Sequence, residues 1–139
     1  MRNEQDMDLG RVIADVMEPY KTVSLAYLFG SAATGANGPM SDIDIAVLAD
    51  RASDGCEVLG LLQDDICRRL KTDRIDLISL AEAPPPLAYR IVRDGQCVLC
   101  RDRKVREAFE TRAIMRYLDF KPLRDRAFRL SRQAILESV

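Results

Sequence analysis

Leu28-Phe29-Gly30-Ser31-Ala32-Ala33-Thr34-Gly35 and, shortly after it, Ser41-Asp42-Ile43-Asp44-Ile45-Ala46-Val47 are the stretches on which the fold turns. The first closes an apolar run, Ser24 to Phe29 (SLAYLF), that reads as a strand ended by Gly30. The second opens another, Ile43 to Ala49 (IDIAVLA). Asp42 and Asp44 lie two apart where this strand begins, so both side chains point to one face. Asp is disfavoured in strands. Two anions walled by Ile43, Ile45 and Val47 repel and resist ionisation unless a cation sits between them. Carboxylate oxygens are the hard donors that Mg²⁺ selects, with waters and substrate phosphate oxygens completing its shell.

Asp76 is a third such carboxylate. It is flanked by apolar residues in Arg74 to Leu80 (RIDLISL), which alternates as a strand does. Beside the first pair it would ligate a metal or accept a proton; the plainer alternative is a strand-edge Asp paired with Arg74 or Arg90. Gly30-Ser31 has a matching part. A strand ending in Gly-Ser and turning into a short helix exposes backbone N–H groups and a hydroxyl, which together suit an anion. The alternative is an ordinary turn with Ser31 as N-cap. Neither G-x-x-x-x-G-K-[ST] nor G-x-G-x-x-G is present, which removes the P-loop and dinucleotide schemes.

Outward from this centre, Leu9, Val12, Ile13, Val16 and Met17 recur at helical spacing and predict a helix over 5–18. Val58, Leu62, Ile66 and Leu70 predict a second, with Asp54 as its cap. Ala83-Pro84-Pro85-Pro86 reads as a connector. Ala88 to Arg93 and Gln96 to Arg101 read as a hairpin around Asp94-Gly95. The remainder is helical, with Val105, Phe109 and Tyr117 on one face and Leu123, Ala127, Leu130 and Ala134 on another. Pro122 divides the two segments. The order predicts an α/β (α+β) chain: a small mixed β-sheet flanked by helices, one domain over 1–139 with a helical tail over 102–139.

Composition narrows the chemistry. The 139 residues contain no histidine, which excludes Ser-His-Asp and Cys-His nucleophile schemes and His-ligated metals. Cys97 and Cys100 form C-x-x-C, but in a predicted strand residues three apart face opposite sides, so buried structural thiols are expected there. Residues 101–139 carry eleven basic and six acidic side chains, a balance of +5, against −6 for residues 1–100. Such asymmetry suits a protein or nucleic-acid partner as well as plain solvated helix faces. The N-terminal MRNEQDMDLG lacks the apolar core of a signal peptide, and no apolar run approaches the roughly 20 residues of a membrane span, so a cytoplasmic protein is expected.

Gly30-Ser31, ten residues, then Asp42-x-Asp44 resembles the signature of the polymerase-β-like nucleotidyltransferases. FGSAATG and SDIDIAV are similar to their minimal members, the MNT antitoxins of the HEPN/MNT toxin-antitoxin systems. The resemblance runs through Asp76 to Tyr117-Leu118-Asp119-Phe120-Lys121-Pro122 and so covers nearly the whole chain. It implies Asp42, Asp44 and Asp76 as catalytic residues and Mg²⁺ ligands, and Gly30 with Ser31 as holders of the ATP triphosphate. It implies a HEPN ribonuclease toxin as partner and transfer of AMP from ATP to a tyrosine of that toxin. Thr34 stands where many relatives carry Arg. Two other functions fit the residues: transfer to a small molecule or an RNA end, and a non-catalytic antitoxin that masks its partner.

Overall fold

The computed structural model describes residues 4–30, 42–50 and 55–137. Along the chain these form α1 (Glu4–Met17), β1 (Val23–Phe29), β2 (Ile43–Ala49), α2 (Gly55–Leu70), β3 (Ile75–Ser79), α3 (Pro85–Asp94), β4 (Gln96–Cys100) and α4 (Arg103–Glu137). The strands make one mixed sheet in the order β3-β2-β1-β4. β1 is antiparallel to both β2 and β4, while β2 and β3 are parallel and joined through α2. The expected α/β class and mixed sheet are therefore observed, with β2 beginning and ending where its sequence pattern does.

Helices cover the sheet on both sides. On one face Ile13 and Met17 of α1 and Leu62 and Ile66 of α2 bury against strand residues such as Leu28 and Ile45. On the other, Leu25, Tyr27 and Ala46 meet Ile91 of α3, with Phe109 of α4 packed alongside. Val23 belongs to the first cluster and Leu25 to the second, although strict alternation would put them together. A register irregularity between them explains this, since one extra residue turns the following side chains to the opposite face. Apolar burial of this kind contributes about 25 cal/mol per Å² and supplies the main drive to fold.

Several expectations are corrected. Ala88 to Arg93 is not a strand; it lies in α3, and β4 pairs with β1 instead. Pro85 and Pro86 occupy the first turn of α3, where a missing N–H costs nothing, and Ala88 and Ile91 bury its inner face. Asp94-Gly95 ends the helix, with the Gly95 N–H donating to the Ile91 carbonyl at 2.7 Å. Nor does Pro122 divide the tail, because α4 runs unbroken through it for 35 residues. The Asp54 cap lies outside the described residues. Cys97 is half-buried beside Tyr27, but Cys100 is exposed, so that thiol is not a core group. No helix among the described residues is long and apolar enough to cross a membrane.

Candidate active site

The parallel pairing of β2 with β3 sets Asp44 directly opposite Asp76. Neighbouring strands lie about 4.8 Å apart, so two carboxylates at one register on one face are close neighbours. The pairing is held from several sides. The Ile43 N–H donates to the Arg74 carbonyl at 2.9 Å. From α2, Gln63 donates its side-chain N–H to the Ile75 carbonyl at 2.9 Å, fixing the backbone next to Asp76. Gln63 carried no signal in the sequence, being one polar residue on an amphipathic helix.

On the other side of β2, Asp44 is opposite Phe29, the last residue of β1. Gly30 follows with φ +74°, in the left-handed region. A Cβ at Gly30 would stand 2.5 Å from the Asp44 Oδ2. The glycine thus serves two needs, a backbone conformation that L side chains resist and room for the Asp44 carboxylate. Burial, followed by the charges of Asp76 and Asp42, pushes the Asp44 carboxyl above its ordinary value. Asp44 is half-buried, whereas Asp42 and Asp76 are exposed. Ser31 and Thr34 lie outside the described residues.

The chemistry of the donor set suits a hard cation. Three carboxylates share one edge of the sheet, and the half-buried one is disfavoured as an anion by the other two. Among the described residues no group of three His, Cys, Asp or Glu side chains is already drawn in tightly enough to hold a metal ion. Mg²⁺ does not need such a cage; it retains waters and takes one or two protein carboxylates together with substrate phosphates. Asp44, Asp76 and Ala46 share the sheet face on which α3 and α4 pack. Those helices pack on β1, and the cluster they join includes Ala46 of β2 and Ile78 of β3. The anchor is a polar contact missed in the sequence: Tyr27 donates its hydroxyl to Glu110 at 2.6 Å, and Arg106 donates to the same carboxylate oxygen at 2.9 Å.

Known proteins share this chain's sequence pattern and fold. Residues 11–104 match the family described as polymerase beta, nucleotidyltransferase. The protein adenylyltransferase MntA of Shewanella oneidensis is 30% identical over 135 residues, which span 97% of this chain and 89% of that protein. A crystal structure of a toxin-antitoxin with AMP-PNP superposes with a TM-score of 0.67 at 28% identity, covering 94% of this chain and 97% of that one. A structure of a tri-AMPylated Shewanella oneidensis HEPN toxin in complex with MNT antitoxin gives 0.63 at 26% identity, covering 96% and 98%. An acidic pair across parallel strands, a left-handed glycine against it and a match over most of the chain lead to one assignment: this chain belongs to the polymerase beta nucleotidyltransferases, among the minimal members that include MntA.

Proposed function

We propose that this chain is a cytoplasmic antitoxin that transfers AMP from ATP to a tyrosine hydroxyl of a HEPN ribonuclease toxin, releasing pyrophosphate and neutralising the toxin. One observation carries the reading: Asp44 sits opposite Asp76 with Gly30 against its carboxylate, at a sheet edge beside the helices. The named activity of MntA and the AMPylated toxin in the neighbouring complex support the acceptor. The AMP-PNP complex supports ATP as the nucleotide.

Asp42 and Asp44 would hold Mg²⁺, with Asp76 as third ligand or as base. When bound, the ion neutralises triphosphate charge and polarises the α-phosphoryl group. The remaining steps belong to the chain. Gly30 keeps the strand end clear for the phosphates, and Ser31 donates its hydroxyl to a phosphate oxygen. Asp76 accepts the proton of the attacking tyrosine hydroxyl as the O–Pα bond forms. The bond from Pα to the bridging oxygen breaks in line, and pyrophosphate carries away that oxygen. Residues 1–139 are read as one catalytic domain, with 102–139 as its partner-facing helical tail.

Incubation with α-labelled ATP, Mg²⁺ and a HEPN ribonuclease toxin tests the reading. Label on the toxin is the expected result. Label on a small molecule or an RNA end, or no transfer with toxin silenced all the same, would replace it with one of the two alternatives.

A further inference from the structure

β4 carries the C-x-x-C of Cys97 and Cys100, which AMP transfer leaves unused. On a regular strand residues three apart face opposite sides, and that would separate the two thiols. The register of β4 on β1 changes this. Cys100 is opposite Leu25 and Leu99 is opposite Ala26, whereas Cys97 is opposite Tyr27. Val98 is therefore the extra residue of a bulge, which advances the chain by one position. Val98 and Leu99 both pack on the face that α1 and α2 cover. Cys97 packs with Leu25 and Tyr27 on the other face. Past the bulge, Cys100 returns to the face of Cys97. The two thiols feel one another. Burial pushes the Cys97 thiol above its ordinary value, Arg106 pulls it down, and charge on Cys100 pushes it up again.

Spacing decides what can join them. Leu25 and Tyr27 are two strand steps apart, about 7 Å, and their partners Cys100 and Cys97 span a similar distance. A disulfide has its Cα atoms no more than about 6.8 Å apart and closes its sulfurs to about 2 Å. An ion between two thiolates lets the sulfurs stay about 4.6 Å apart, since a thiolate–metal bond is about 2.3 Å long. The pair thus suits a bridging ion better than a direct bond.

The donor set selects the ion. A structural Zn²⁺ site takes four protein ligands. Among the described residues no group of three His, Cys, Asp or Glu side chains is placed to hold a metal. Glu110, the nearby carboxylate, is already engaged by Tyr27 and Arg106. A soft monovalent ion of low coordination number needs only the two thiolates. Cys100 is exposed and Cys97 half-buried, so solvent gives the ion a way in. We propose that Cys97 and Cys100, brought to one face by the bulge at Val98, form a dithiol site for a thiophilic monovalent cation, Cu(I). Each thiol gives its proton to solvent as its sulfur bonds the ion, and the oxidation state of copper does not change. Arg106, close enough to act on Cys97, offsets the negative charge of the resulting dithiolate. In the strand order β3-β2-β1-β4 this site is on the edge opposite β3, away from Asp76.

Cys56 and Cys67 are the other cysteines of the chain, and a Cys56→Ser, Cys67→Ser background removes them from the measurement. Cu(I) is supplied without oxygen and competed with the chromophoric chelator bathocuproine disulfonate. The background chain should take up one Cu(I) per monomer, with sulfur alone in the first shell by X-ray absorption. Adding Cys97→Ser or Cys100→Ser should weaken binding by about 100-fold or more, because the second thiolate acts at high effective concentration. Should the background chain unfold, wild type compared with its Cys97→Ser, Cys100→Ser variant should differ by one bound ion per chain. Single variants that bind as tightly as the background would overturn the proposal, as would copper that links two chains. So would a chain that takes up no Cu(I) yet closes a Cys97–Cys100 disulfide with oxidised glutathione, since the pair would then be a redox couple.

Discussion

At the scale of single residues, Gly30 shows how much a motif leaves unsaid. In the sequence it reads as a glycine that lets phosphates approach the backbone. In the structure it is also the space that the Asp44 carboxylate fills. Gly30→Ala should therefore lower stability by about 1–3 kcal/mol in urea unfolding and depress AMP transfer, because both φ and the clash oppose it. Gly60→Ala is the control of opposite sign. Gly60 is in α2 with open space around it, and a Cβ there should stabilise the helix by about 0.5–1 kcal/mol. Glu110 gives a test in acid. Burial alone would raise its pKa, but hydrogen bonds from Tyr27 and Arg106 outweigh burial and hold it below the ordinary 4.5. A lowered folded pKa contributes stability that is present above the unfolded value and lost as pH falls through the folded one. Glu110→Gln should be less stable than wild type at neutral pH, and the gap should close as unfolding is measured at pH values falling below 4.5. A gap independent of pH would mean that the carboxylate charge does not matter there.

At the scale of elements, the limits of legibility have physical causes. β1 and β2 were readable because apolar runs bounded by Gly30 and by Asp42 have few other uses. α3 was misread because Asp-Gly serves a hairpin and a helix end alike, and only tertiary pairing distinguishes them. The prolines ahead of α3 favoured a helix start, since the first turn is where proline costs least. Pro122 misled in the opposite direction: the helix continues through it even though proline usually ends one. Arg101 carries no such signal in the sequence. It donates to the carbonyls of Val23 at 2.6 Å and Met17 at 3.0 Å, and also to those of Glu18 and Tyr20. A guanidinium there serves the C-terminal end of α1, whose last carbonyls lack helical partners. Arg101→Ala should lower stability by about 2–3 kcal/mol in denaturant unfolding, and Arg101→Lys should recover only part, because an ammonium cannot span the same set. An unchanged midpoint for the alanine variant would show that water replaces these contacts.

At the scale of the molecule, one face of the sheet is given to packing by α1 and α2. The other is shared between packing by α3 and α4 and the acidic edge of β2 and β3. The candidate site was legible as a set, since Asp42-x-Asp44, Asp76 and Gly30 all announce one chemistry. Its arrangement was not, because the register that sets Asp44 against Asp76 is a long-range pairing. Each Asp is expected to serve the cation and the phosphates rather than the fold, so removing one charge from a repelling cluster should leave the melting temperature in EDTA unchanged or raised. The central claim is tested most directly by mass spectrometry of the toxin after incubation with ATP, Mg²⁺ and either wild type or Asp44→Asn. Wild type should add AMP to a toxin tyrosine. Asp44→Asn should bind the toxin equally well but transfer AMP about a thousandfold more slowly, which corresponds to about 4 kcal/mol of barrier. Equal modification by both proteins, or an unmodified toxin that is nevertheless silenced by both, would contradict the account.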